Sequence, residues 1–183
     1  MTNIYYTGVG SRETPTEIME IMSIGAYKLA SYGFIGRSGS ATGADTAFEI
    51  GHDLFLQDTG IVRFESFLPW DGFNGHTNDD VHVVATGLPK YHEAKLIMSS
   101  VHPKYNRLTQ IEKKLHNRNV FQVLGVDLST PSSLLVCWAK PRGVYSVHGG
   151  TNTAYQLALR NNATILNLYE KSHLDRFINE FNI

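Results

Sequence analysis

Three times along this chain, a short apolar run ends near a loop of glycines and small hydroxyl residues that opens into a helical pattern. Ile4 to Thr7 runs into Gly8-Val9-Gly10-Ser11-Arg12, and Phe34-Ile35-Gly36-Arg37 runs into Ser38-Gly39-Ser40-Ala41-Thr42-Gly43. Leu134 to Ala139, the most strand-like run, leads through a loop from Lys140 to His148-Gly149-Gly150-Thr151-Asn152-Thr153. A strand that is apolar without strict alternation is covered on both faces, and strands alternating with helices form a parallel sheet. The fold class expected is therefore α/β, Rossmann-like, with a mostly parallel sheet and helices on both faces. Ligands of such folds sit beyond the carboxyl ends of the strands, where these three loops belong.

The remaining pattern agrees. Thr14 as N-cap, Pro15 at the first helical position and Glu17 at the third predict a capping box. Ile18, Ile21, Met22, Gly25 and Leu29 then stripe one helix face until Gly33 ends it. A second helix carries Ala44, Ala47, Phe48 and Gly51, and Ile61 to Leu68 is a third strand. Pro69 to Gly75 is a loop, and the stretch on to Leu88 is irregular or holds a short strand. Helical patterns run from Lys90 to Ser99 and from Leu108 to Val123, interrupted at His102-Pro103. Thr164 to Leu168 is a last parallel strand, and a terminal helix begins just after His173 with Leu174, Phe177, Ile178 and Phe181 as its stripe. At 183 residues and 42% hydrophobic content, residues 1–183 read as one domain with a core that needs no disulfide or structural metal.

Charge and cysteine content narrow the function. Sixteen basic against 17 acidic side chains leave a net charge of −1 without long blocks, which argues against a nucleic-acid partner. Lys104, Arg107, Lys113, Lys114 and Arg118 read as a solvated helix face or a local basic patch. The lone thiol, Cys137, lies in the strongest strand and reads as a buried hydrophobe in a reducing cytoplasm. No apolar run approaches the roughly 20 residues of a membrane span, and the first residues, from Met1-Thr2 on, lack a signal-peptide pattern.

The loops suit an anion. In the first, Gly8 and Gly10 let backbone amides approach, Ser11 adds a hydroxyl and Arg12 a planar fork for phosphate or carboxylate. Its third fingerprint glycine is missing, since Glu13 stands there. In the second, Ser38, Gly39 and Gly43 lead into a helix whose start favours negative charge. Asp45, in its first turn, either is stabilised there by the helix dipole alone or bonds a ribose hydroxyl or a neighbouring loop. It is not a P-loop, because no Lys-Ser or Lys-Thr follows Gly43. In the third, Gly149 and Gly150 with Thr151 and Thr153 make a compact phosphate cradle. Trp70 and Tyr145 are loop aromatics able to stack on a base or to lock their loops. The eight histidines show no metal spacing; His76, Asp79, Asp80 and His82 come nearest, and no metal ligands or cofactor are expected. Ser11 and Ser38 lack an evident histidine base, and Asp71, Glu93 and Glu13 remain as unplaced acids.

Tyr6 to Gly51 resembles the amino-terminal half of the fold shared by DNA-processing protein A and the Lonely Guy proteins, the SLOG superfamily. The pattern is strand, Gly-Ser-Arg, helix, strand, then Ser-Gly-x-x-x-Gly-Ala-Asp and a helix with small residues. Gly149 to Gln156 resembles the Gly-Gly-x-Gly-Thr-x-x-Glu motif of Lonely Guy phosphoribohydrolases, and Arg118-Asn119 the Arg-Asn that faces the ligand in some members. The resemblance implies a nucleotide-type ligand (a nucleoside phosphate or an ADP-ribose-type signal) and a homodimer or higher homo-oligomer. It departs at Asn152, where the motif has glycine, and at Gln156, where the hydrolases carry the glutamate implicated in N-glycosidic cleavage. An amide cannot take up a proton or carry full charge, so the leading expectation is binding, sensing or sequestering the ligand without turnover. The alternatives are an N-glycosidic hydrolase or transferase with another acid, and a single-stranded-DNA handling protein.

Overall fold

The computed structural model describes residues 3–183; Met1 and Thr2, which open the stretch read above for a targeting signal, lie outside them. Six strands form one parallel sheet: β1 (Ile4–Gly10), β2 (Phe34–Ser38), β3 (Phe64–Leu68), β4 (His82–Val84), β5 (Leu134–Trp138) and β6 (Thr164–Asn167). Their spatial order is β4-β3-β2-β1-β5-β6. Six helices connect or cover them: α1 (Thr16–Ser31), α2 (Ala44–Thr59), α3 (Tyr91–Val101), α4 (Gln110–Leu124), α5 (Thr151–Arg160) and α6 (Lys171–Phe181).

Side chains of one strand alternate between two cores, which is why β5 is apolar throughout. Leu135 and Cys137 join Val9 and Phe67 under α3, α4 and α5. Leu134 and Val136 join Tyr6 and Phe64 under α1, α2 and α6. The connections β1-α1-β2 and β2-α2-β3 move one way along the sheet, and β5-α5-β6 moves the other way. Their helices accordingly lie on opposite faces, as crossovers of a single hand require. Cys137 is fully buried and its thiol pKa is pushed up by that burial, so it is an inert core residue. Among the described residues, no helix is long and apolar enough to cross a membrane.

Four sequence expectations need correction. The first helix begins at Thr16 with Pro15 as its cap and no side-chain capping bond. The Thr14 hydroxyl instead donates to the Ser11 carbonyl at 2.7 Å, because the extended backbone at Pro15 turns it back onto the preceding loop. The third strand starts at Phe64, since Gly60 to Arg63 precede the ladder as an irregular segment. The terminal helix starts at Lys171 rather than after His173. The capping box actually present is at Thr109 and Glu112, reciprocal between side chains and backbone at the start of α4. Thr109→Ala should lower stability by about 1 kcal/mol, the usual loss for such a cap, read as a shift of the urea midpoint at unchanged slope.

Candidate functional site

The chain runs outward from β1 through β2 and β3 to β4, then returns to lay β5 on the other side of β1. Strand order thus reverses between β1 and β5, and the crevice beyond their carboxyl ends is the switch point at which α/β sheets take ligands. A cavity of about 330 Å³ opens there, at the small end of the roughly 300–1,000 Å³ typical of ligand sites. Gly10 to Glu13 of the first loop form one wall, Ala41 and Asp45 the second, and His148 to Thr151 the third. The fourth is a face of α4: Glu112, Leu115, His116, Arg118, Asn119 and Gln122.

Arg118 organises the floor. Its guanidinium is buried, donates to the carbonyls of Gly39 and Phe67 (3.2 Å for the latter), and its Nε donates to Asn119 Oδ1 at 2.9 Å. Asp45 lies 3.8 Å away, and the Phe73 ring is 5.8 Å from the guanidinium carbon. Burial pulls the Arg118 pKa down while Asp45 opposes the shift. Asp45 is itself pushed up to about 6 by burial, against the pull of Arg118 and the amides of Ala41 and Gly10. The two groups tie the second loop to α4 and to the first loop. Gly39 lies directly against the buried Arg118 guanidinium and the Gln122 amide, where a side chain would have to displace them.

The first two loops are also joined by backbone. The Ser11 carbonyl accepts from Thr14 N at 3.3 Å and from Ala44 N at 3.4 Å, and Thr46 N bonds Ala41 O at 3.2 Å. Most of the first-turn amides of α2 are therefore occupied, and this helix start is closed to an anion. At α5 the amides of Asn152 and Thr153 reach back to the carbonyls of Gly149 and Gly150. That leaves Gly150 and Thr151 as donors at the cavity mouth. Arg12 stands exposed on the facing wall and makes no ion pair among the described residues. An anion between Arg12 and the start of α5 would meet a cation and a helix N-terminus together.

Gln122 is 1% exposed, and neither its Oε1 nor its Nε2 has a hydrogen-bond partner in the protein. Buried polar groups are rarely left so, and this residue borders the cavity with its amide against Gly39 of the second loop. His116 is held by Thr153 Oγ1 at 2.9 Å and packs edge-on against His102 at 4.7 Å. Burial, then the His102 and Arg118 charges, lower its pKa to about 4, so it is neutral at pH 7.

Of the residues singled out from sequence, Gly10, Ser11, Arg12, Asp45, Arg118, Asn119, Gly149, Gly150 and Thr151 line the cavity. Others stand behind it. Gly8 makes room for the Phe48 ring, and Gly43 lies against Ser11 and Arg12. Ser38 is buried with an unpartnered hydroxyl, and Thr153 holds His116. Two lie away from it. Trp70 packs edge-on against Phe73 at 5.1 Å, and Gln156 donates to the Tyr145 carbonyl at 2.6 Å. Sequence reasoning missed Gln122, His116 and Glu112. Gln122 follows Arg118 by four residues and Asn119 by three, so helical spacing alone would have placed it on the same face.

No protein-family model matches the sequence, and no curated protein matches it. Among solved structures, DNA processing protein A from Helicobacter pylori, described for its unique single-stranded DNA binding mode, is similar with a TM-score of 0.55. The match covers 99% of this chain and 80% of that one at 13% identity. At that identity the likeness is one of fold, and the chain has a Rossmann-type fold like that of DNA processing protein A.

Proposed function

We propose that this chain is a SLOG-type protein that binds a nucleotide-derived anion about the size of one nucleotide in the β1–β5 crevice and holds it without turnover. The observation that carries this reading is the crevice itself, where the exposed Arg12 stands on one wall and the Gly150 and Thr151 amides at the start of α5 on another; the buried amide of Gln122, without a partner in the protein, lies in the floor between them. The unpaired Arg12 and the start of α5 supply the phosphate end. The walls also carry Glu13, Asp45 and Glu112, a charge mixture that suits one or two phosphates rather than a polyphosphate. The position of Gln156, bonded to a loop carbonyl and away from the cavity, favours binding over N-glycosidic cleavage.

Mass spectrometry of small molecules released from the purified protein, with calorimetry against AMP and ADP-ribose, tests this directly. One equivalent should bind. Arg12→Ala should weaken it by about 1.5–3 kcal/mol, the range for a charge-assisted bond, with an unchanged Tm. Release of several equivalents of free base per chain would replace sequestration with hydrolysis. Binding of oligothymidylate with a steep salt dependence, and of neither small molecule, would favour the single-stranded-DNA reading that the fold neighbour's activity suggests.

A further inference from the structure

Across the second loop from the cavity, three side chains far apart in sequence converge beside the β4 edge of the sheet. Glu49 comes from α2, His82 opens β4, and His76 comes from the loop before it. One ligand-type atom of each lies within 4.8 Å of the others, and the two imidazoles face each other with ring centres 4.2 Å apart. We propose that Glu49, His76 and His82 form a binding site for a divalent transition-metal ion of the zinc class, with Asp79 as the residue that orients His82.

The hydrogen bonds around the cluster lead to this. The Asp79 carboxylate accepts from His82 Nδ1 at 2.9 Å and is fixed by the amides of Val81 and His82 at 2.8 and 2.7 Å. A carboxylate has no proton to give, so Nδ1 is the donor in this bond and Nε2 is the nitrogen left to face away from Asp79. What it meets there is Glu49 Oε1, 3.8 Å distant. Two ligand-type atoms thus face each other across a half-buried gap too wide for a hydrogen bond, with the His76 ring beside them. A metal ion between them would fill that gap and be coordinated by both. A carboxylate-held histidine is also the usual outer-shell arrangement of a metal ligand.

Glu49 is fixed for the same task. Its Oε1 accepts from the hydroxyls of Ser40 at 2.5 Å and Ser66 at 2.7 Å. Ser40 reaches it from a left-handed backbone (φ 51°), an uncommon conformation for a residue other than glycine. Two nitrogens and one carboxylate oxygen suit zinc, nickel or copper better than calcium or magnesium, which prefer oxygen alone. Zinc distances of about 2.0–2.2 Å set ligand atoms roughly 3.3 Å apart, so the three must draw in by up to about 1.5 Å. Three protein ligands leave a fourth position for water or an added ligand. From the sequence no metal ligand is expected, and the proposal runs against that expectation: His76 and His82 were legible there, but Glu49, almost 30 residues upstream, was not.

The site is independent of the nucleotide reading and is tested with the metal alone. After dialysis against a chelator, the whole chain should take up one equivalent of Zn²⁺ by calorimetry, and Co²⁺ should give the visible absorption of a low-symmetry, four-coordinate ion. His76→Ala and His82→Ala should each weaken uptake at least 100-fold. Asp79→Asn, which removes only the orienting charge, should weaken it by about 10- to 100-fold. His92→Ala, an exposed histidine of α3, should change nothing. Thermal melting in chelator checks that each variant folds; should His82→Ala fail to fold, His76→Ala and Asp79→Asn decide alone. Absence of stoichiometric Zn²⁺ and Co²⁺ uptake, or uptake equal in wild type and His76→Ala, overturns the assignment.

Discussion

Arg118→Met is expected to destabilise the protein by about 3–5 kcal/mol, as removal of one member of a buried charge pair does, and to abolish ligand binding. The methionine keeps much of the volume, so the loss is one of polar contacts. Two carbonyls, Gly39 and Phe67, lose their donor, and Asn119 loses the bond that orients it. Asp45 loses the guanidinium that partly offsets its desolvation. The pair is long at 3.8 Å, so the orphaned carbonyls should account for much of the effect and Asp45→Asn in the same chain should recover only part of it. The pH dependence separates the contributions. A carboxyl whose pKa is raised by folding favours the folded state at low pH and loses that advantage as pH rises through its folded value. In wild type this window runs from about 4 to about 6; in the variant its upper limit moves higher. The deficit of Arg118→Met should therefore be smaller at pH 5 than at pH 8, measured by urea denaturation at both. A deficit that does not change with pH would show that Asp45 takes no part.

How much of this could be read in the sequence depended on whether the signal was local. β5 and the loops around Ser11, Gly39 and Gly149 were legible because a strand covered on both faces and a glycine turn each leave their mark within a few residues. Thr14-Pro15-Thr16-Glu17 satisfied the local rule for a capping box equally well, yet a competing local acceptor, the Ser11 carbonyl three residues back, took the threonine hydroxyl. The face of α4 was half legible. Arg118 and Asn119 stood out through the family resemblance, whereas Gln122 is polar, fully buried and invisible to a search for apolar periodicity. Gln156 shows the reverse case: its place in a motif pointed to the ligand, and the Tyr145 carbonyl holds it elsewhere. Nothing in the sequence joins Glu49 to His82; only the β3–β4 pairing brings the β4 edge beside α2.

The meeting of the first two loops at Gly43 predicts the second large effect. Gly43 has φ 90° and ψ −127°, a backbone region that residues with a Cβ essentially avoid. A Cβ there would lie 2.5 Å from the Ser11 carbonyl oxygen and 2.7 Å from Arg12 Cα. Both neighbours are backbone, so no side-chain rotation relieves the contact. Ser11 cannot retreat either, since its amide is bonded to Trp138 O at 2.9 Å and its carbonyl accepts from Thr14 and Ala44. Gly43→Ala should therefore cost about 2–6 kcal/mol, summing backbone strain and overpacking at about 1–3 kcal/mol each. The displaced loop also carries Arg12 away from the start of α5, so binding should fall with stability. Gly149→Ala is the matched control. Its φ is also positive, at 77°, but an added Cβ would meet nothing within 4 Å, so it bears strain alone, about 1–2 kcal/mol. Thermal melts of the two variants side by side, followed by calorimetry of each with ADP-ribose, separate the two contributions. Equal losses in both would mean that the first loop yields freely at Ser11, and Arg12 would then have no fixed position from which to hold a phosphate.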